Sequence, residues 1–189
     1  METEPAEIRV LDAAETLFDE RGVQAVGMDA IRTASGVSLK RLYQAYPSKV
    51  ELLEAVLRRR DEAVTAGIEN YVAARSDPRA RVLAVFDFLA DWFADPAFRG
   101  CVFINTYGEM GGISESVAAL AREHKLGLRS RLAGLLAETD VPPAATESLA
   151  TQLALLADGA MVTAALTGTR DAAQQAKAAA GLLLDAATT

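Results

Sequence analysis

The sequence predicts an all-α protein, and three observations lead there. The 189 residues are 51% hydrophobic but 6% aromatic, with Ala and Leu supplying much of the apolar content, a mixture that favours helices over sheets. Apolar residues recur at three- and four-residue intervals, and no segment alternates convincingly as a strand. Helix start and stop residues also fall at suitable intervals, which marks out about nine helices.

The first helix is expected to begin near Thr3–Pro5, because proline suits a first helical turn and Glu7 favours the positive end of the helix dipole. Ile8, Leu11, Ala14, Leu17 and Phe18 follow at helical spacing, and Arg21-Gly22 supplies a cationic last turn and a stop. After VQAVG, a short helix over about Met28–Ala34 carries Asp29 in its first turn and Ile31 inward; Ser35-Gly36-Val37 breaks it. A third helix starts at Ser38, a good N-cap, and ends near Ala45, before Pro47. Ser48 and Glu51 form a capping box ahead of Leu52, Leu53, Val56 and Leu57, the strongest start signal in the chain. That fourth helix runs to about Arg75, where Ser76-Asp77-Pro78 stops it. Five more fit the remainder: Arg79–Ala94, Phe98–Met110, Ser114–Ala137, Pro143–Thr167 and Asp171–Ala187, with Cys101–Ile104 the ambiguous stretch.

Charge is distributed unevenly. The formal net charge is −7, yet Arg32 to Arg60 hold seven cations against two acids, while residues 61–189 hold ten cations and sixteen acids. A localised basic surface on an acidic body points to a polyanion addressed by one face. Other chemistry is thin. A single cysteine, Cys101, excludes an intrachain disulfide, and a single histidine, His124, removes nearly every zinc or histidine-based catalytic arrangement. No Ser/His/Asp set, P-loop or dinucleotide fingerprint can be assembled, so neither an enzyme nor a cofactor is expected. Cys101 reads as a small buried hydrophobe and His124, within AREHK, as exposed. No uninterrupted apolar run approaches the roughly 18 residues of a membrane span, and the start METEPAE is acidic where a signal peptide is basic. A cytoplasmic protein is expected.

Two short helices joined by a tight glycine-containing turn, the second bearing exposed polar residues, make a helix-turn-helix pattern. In LKRLYQAY, Leu39 and Leu42 can face inward while Lys40, Arg41, Tyr43, Gln44 and Tyr46 divide over the outer surface. Lys and Arg reach guanine edges or phosphates, Gln pairs with adenine, and tyrosine hydroxyls donate to phosphate oxygens. Ser38 caps this helix, and Lys49 with the free N–H groups opening the next helix makes a second anion site.

The order of LDAAETLFDERGV, MDAIRTASGVSLKRLYQAYPSKV and ELLEAVL, continuous over about residues 8–57, resembles the DNA-binding region of the tetracycline-repressor (TetR) family. The chain departs from the family pattern at Val26-Gly27, where many members carry Thr or Ser, and at Lys40-Arg41, where many carry a small pair; Tyr46 stands where phenylalanine is usual. The resemblance implies a helix-turn-helix domain over 1–47, a linking helix over 48–75, and a helical ligand-binding and dimerisation domain over 76–189. It also implies a homodimeric repressor, released from a double-stranded operator by a small-molecule effector.

For the effector, the expected lining is Phe86, Leu89, Trp92 and Phe93 on one helix with Phe103, Tyr107 and Met110 on the next, and Asn105, Glu109 and Asp158 are candidate polar anchors. Aromatic residues at helical spacing also serve as plain core. For dimerisation, Leu149, Leu153, Leu156 and Ala160 line one late helix and Ala176, Ala180 and Leu183 the last, small residues that let helices approach closely. The alternative to a DNA-binding regulator is a helical interaction module without specific DNA affinity.

Overall fold

The computed structural model describes residues 5–188 and, among them, nine α-helices and no strand. They are α1 Ala6–Arg21, α2 Met28–Ser35, α3 Leu39–Ala45, α4 Lys49–Ala73, α5 Pro78–Ala94, α6 Val102–Met110, α7 Glu115–Leu136, α8 Pro143–Thr167 and α9 Ala172–Ala187. The expected start at Thr3 lies outside the described residues; α1 begins directly behind Pro5. The largest difference from the sequence reading is α6, which starts at Val102 rather than Phe98. Asp95 explains it: its carboxylate accepts from the Ala97 N–H at 2.8 Å and its carbonyl from Phe98 N–H at 2.9 Å. Those bonds hold Pro96–Phe98 in a turn, and Phe98 packs its ring 4.8 Å from Phe93.

Contacts group the chain into two units. The first comprises the residues up to Glu62 together with Val102–Arg122, and the second comprises Ala63–Cys101 together with the residues from Glu123 onward. Both α4 and α7 therefore contribute to each unit.

In the first unit, α1 packs on α2 and α3. Val10, Ala14, Leu17 and Phe18 bury one stripe of α1, joined in the core by Val23, Val26, Ile31, Val37 and Leu42 and by Leu52, Leu53, Val56 and Leu57 of α4. In the second unit, α5, α8 and α9 pack against one another. Val82, Val85, Phe86, Leu89 and Phe93 of α5, Leu149, Leu153, Ala157 and Met161 of α8, and Ala173, Ala176, Ala180 and Leu184 of α9 are buried there. Helix α8 is long and apolar enough by composition to cross a membrane, with a mean hydropathy of 1.5, but one side of it packs in this unit.

Candidate nucleic-acid interface

Helix α2 ends at Gly36, whose φ of 65° and ψ of 22° place it in the left-handed region open to glycine, with its N–H bonded to the Arg32 carbonyl. Three residues later Ser38 caps α3, accepting from the Arg41 N–H at 3.3 Å. Leu42 points into the core with no exposed surface. Around it, Lys40, Arg41, Tyr43 and Gln44 are exposed and Tyr46 is half-buried. Leu39 departs from expectation: 47% exposed, it lies on the outer side of α3 rather than in the core. It begins the helix, ahead of the residues α3 packs inward.

Ser48 opens α4, accepting from the Glu51 N–H at 3.2 Å and donating its hydroxyl to the Glu51 carboxylate. Lys49 follows, half-buried. Burial pushes its ammonium below the usual lysine value, with the nearby Glu109 carboxylate opposing. Burial raises the Tyr46 phenol; Glu7 adds to the shift and Arg59 offsets part of it. Helix α2 has no side-chain cap, as expected from Gly27 in the N-cap position.

The basic window of the sequence is narrower in space. Arg32 pairs with Asp29 at 2.8 Å and Arg58 with Glu54. Arg59 bonds Asp12 and Glu15, and Arg60 bonds Glu15 and Asp19, at 2.6 Å to Asp12 and 2.7 Å to Asp19. Acids of α1, outside the window, thus neutralise Arg59 and Arg60 of α4. Among the described residues, Lys40 and Arg41 have no ion-pair partner. One further cation belongs to this face: Arg9 of α1 shares with Arg41 and Gln44 an open groove of about 540 Å³, and the Arg9 Nε is buried without a hydrogen bond. The linear charge count missed it because 22 residues lie between it and Arg32, the window's first cation.

The expected effector residues divide between the units. Phe86, Leu89 and Phe93 are buried in the second unit, and Trp92 is half-buried with its ring 5.9 Å from Phe88 and 5.5 Å from Phe98. Phe103, Tyr107 and Met110 belong to the first unit, Phe103 buried, Met110 half-buried and Tyr107 56% exposed. Of the polar candidates, Asp158 pairs with Lys125 at 2.6 Å and Glu109 accepts backbone N–H groups, so both already have partners. Asn105 is exposed and also engaged. Cys101 is buried as expected, whereas His124 is half-buried rather than exposed.

The dimerisation stripe is placed differently from expectation. Leu149, Leu153, Ala160, Ala176 and Ala180 are buried within this one chain, whose α8 and α9 pack against each other and against α5, and Leu156 and Leu183 are half-buried. Side chains already covered inside a subunit have little surface left for a second copy. The outer side of the same helices instead presents Leu155, Val162 and Leu166 of α8 and Leu182 of α9.

Comparison with known proteins agrees with this architecture. Residues 10–56 match the family of bacterial regulatory proteins of the tetR type, and residues 78–180 match a tetracyclin repressor-like C-terminal domain. The HTH-type transcriptional activator FasR of Mycolicibacterium smegmatis is 40% identical over 85 residues, 43% of this chain and 39% of that protein. The HTH-type transcriptional repressor KstR of the same organism is 34% identical over 74 residues, 39% of this chain and 36% of that protein. The chain thus spans well under half the length of these two curated relatives. A TetR-family transcriptional regulator from Streptomyces coelicolor has the same fold, with a TM-score of 0.90 at 24% identity over 97% of this chain and 96% of that one.

Proposed function

Because this chain belongs to the TetR family of bacterial regulatory proteins, we propose that it is a homodimeric, cytoplasmic repressor that holds a pseudo-palindromic operator until a small apolar effector releases it. Membership makes it a transcriptional regulator with a DNA-binding domain rather than an enzyme. The observation that carries the operator reading is the state of Lys40 and Arg41. They stand exposed on α3 without an ion-pair partner among the described residues, while four arginines around them are paired. An unpaired cation next to exposed Tyr43 and Gln44 suits a phosphate backbone and base edges. Tyr46 and Lys49, with Ser38 setting the start of α3, complete the proposed face.

Two-fold pairing is supported by α8. A helix apolar on nearly every side is normally covered on every side, yet Leu155, Val162 and Leu166 remain exposed in the single chain. A second copy would cover them and set two α3 helices at half-sites roughly 34–36 Å apart. The half-buried Trp92 with Phe88 and Phe98 supports an apolar effector near α5. An activator is the second reading, favoured by the name of the 40% identical relative.

The test selects bound sequences from random duplexes and measures affinity against salt. Lys40→Ala with Arg41→Ala should abolish specific binding without unfolding the protein. If each cation meets one phosphate in each protomer, the log–log salt slope falls by up to about 3.6 in magnitude. A folded double variant that binds the selected operator as the wild type does would refute the assignment. A promoter fusion then separates repression from activation.

A further inference from the structure

Between α1 and α2 the chain makes a tight turn through Gly22, Val23, Gln24 and Ala25. Two successive backbone N–H groups of this turn point at one carboxylate: Val23 N–H donates to Glu109 Oε1 at 3.1 Å and Gln24 N–H to Glu109 Oε2 at 2.8 Å. The Gln24 side-chain amide returns the contact, donating to the Glu109 carbonyl at 2.7 Å. Consecutive N–H groups arranged in this way form a concave anion site, and here the anion comes from the chain itself, 85 residues further on. Gly22 is fitted to it in two respects. Its φ of 81° is open to glycine, and a Cβ at that position would lie 3.0 Å from Glu109 Oε1.

The carboxylate belongs to the last turn of α6, within the same unit as the helix-turn-helix. It is also near enough to Lys49, at the head of α4, to act on its ammonium. One residue therefore touches the turn before α2, the helix that leads into α3, and influences the start of α4, which carries Lys49.

We propose that Glu109 is a positioning residue for operator binding: by clamping the Val23–Gln24 turn onto the end of α6, it holds the helix-turn-helix in the orientation that reads DNA. This rests on the operator reading above. The sign of its effect separates it from plain electrostatics. Removing an acid near a polyanion site strengthens binding if charge alone matters, whereas losing the clamp weakens it.

Full-length wild type, Glu109→Gln and Gln24→Ala are titrated against the duplex selected for the wild type, with circular dichroism to follow folding and amide exchange to follow Val23 and Gln24. Glu109→Gln should weaken binding about tenfold, or about 1.4 kcal/mol, with the wild-type salt slope and faster exchange at both amides. Gln24→Ala, which leaves the charge in place, should weaken binding severalfold. A folded Glu109→Gln protein that binds as tightly as wild type, or more tightly, overturns the proposal. If Glu109→Gln does not fold, unaltered binding by Gln24→Ala overturns it. If the wild type selects no duplex, the operator reading fails by itself; unaltered amide exchange in Glu109→Gln then overturns the clamp separately.

Discussion

Replacing Leu155 and Leu166 with glutamate should separate the proposed dimer while leaving each subunit folded. Leu155 is 66% and Leu166 82% exposed in the single chain, so together they offer about one and a half leucine side chains for burial. At about 1.5–3 kcal/mol for a fully buried leucine, covering them contributes about 2–4 kcal/mol per protomer. A two-fold interface uses the patch on both copies, so the dimer loses about 4–9 kcal/mol before any cost of burying four carboxylates. A loss of that size weakens association by about a thousandfold or more. In the isolated subunit both positions face solvent, where substitutions usually cost within about 0.5 kcal/mol. Sedimentation at micromolar concentration should give a dimer for wild type and a monomer for the double variant, with equal helix signals. Leu153→Ala is the contrasting control: Leu153 is fully buried, so its truncation should cost about 2–5 kcal/mol of folding stability. A double variant that remains dimeric, or a monomeric wild type, would refute the reasoning.

Gly67→Ala should destabilise the protein although alanine is the better helix former by about 1 kcal/mol, because the added Cβ would lie 2.5 Å from Phe88 Cε2; a melting temperature equal to or above that of wild type would show that the ring moves aside freely. Phenolate absorbance should show two late-ionising tyrosines, Tyr71 raised by its hydrogen bond to Asp91 and Tyr46 by burial. In both, the raised folded pKa favours the neutral phenol, so the contribution to stability is present below the unfolded value of 10.0 and is lost as pH rises through the folded value. Tyr71→Phe should remove one late component; a single step at 10.0 in the wild type would exclude both shifts.

Most of the fold was legible because its signals are local. Ser38 and Ser48 cap the helices they were expected to cap, Gly36 makes the turn between α2 and α3, and Pro143–Thr167 is a helix with the expected ends. Phe98 failed for a local reason of another kind: the side chain and carbonyl of Asp95 hold the residues that helical spacing would have placed in α6. Amphipathic spacing likewise placed Leu42 correctly in the core and Leu39 wrongly. At the first position of a seven-residue helix, periodicity has no preceding turn to fix the face.

What the sequence hid depends on contacts between distant segments. Counting charges from Arg32 to Arg60 treats seven cations as one patch, but Asp12, Glu15 and Asp19 lie beside Arg59 and Arg60 once α1 packs. The same packing leaves Lys40 and Arg41 as the exposed cations of α3. Small residues posed a related ambiguity. Ala160, Ala176 and Ala180 allow close helix approach, but close approach inside one subunit and across two look the same in a sequence. Exposure separates them: those alanines are covered within the chain, and the leucines one position off the predicted stripe, Leu155 beside Leu156 and Leu182 beside Leu183, remain in solvent. On a helix one position is about 100° of rotation, given 3.6 residues per turn. The sequence therefore indicated which helices could pack closely, and only packing of the chain on itself distinguished the side already covered from the side that stays exposed.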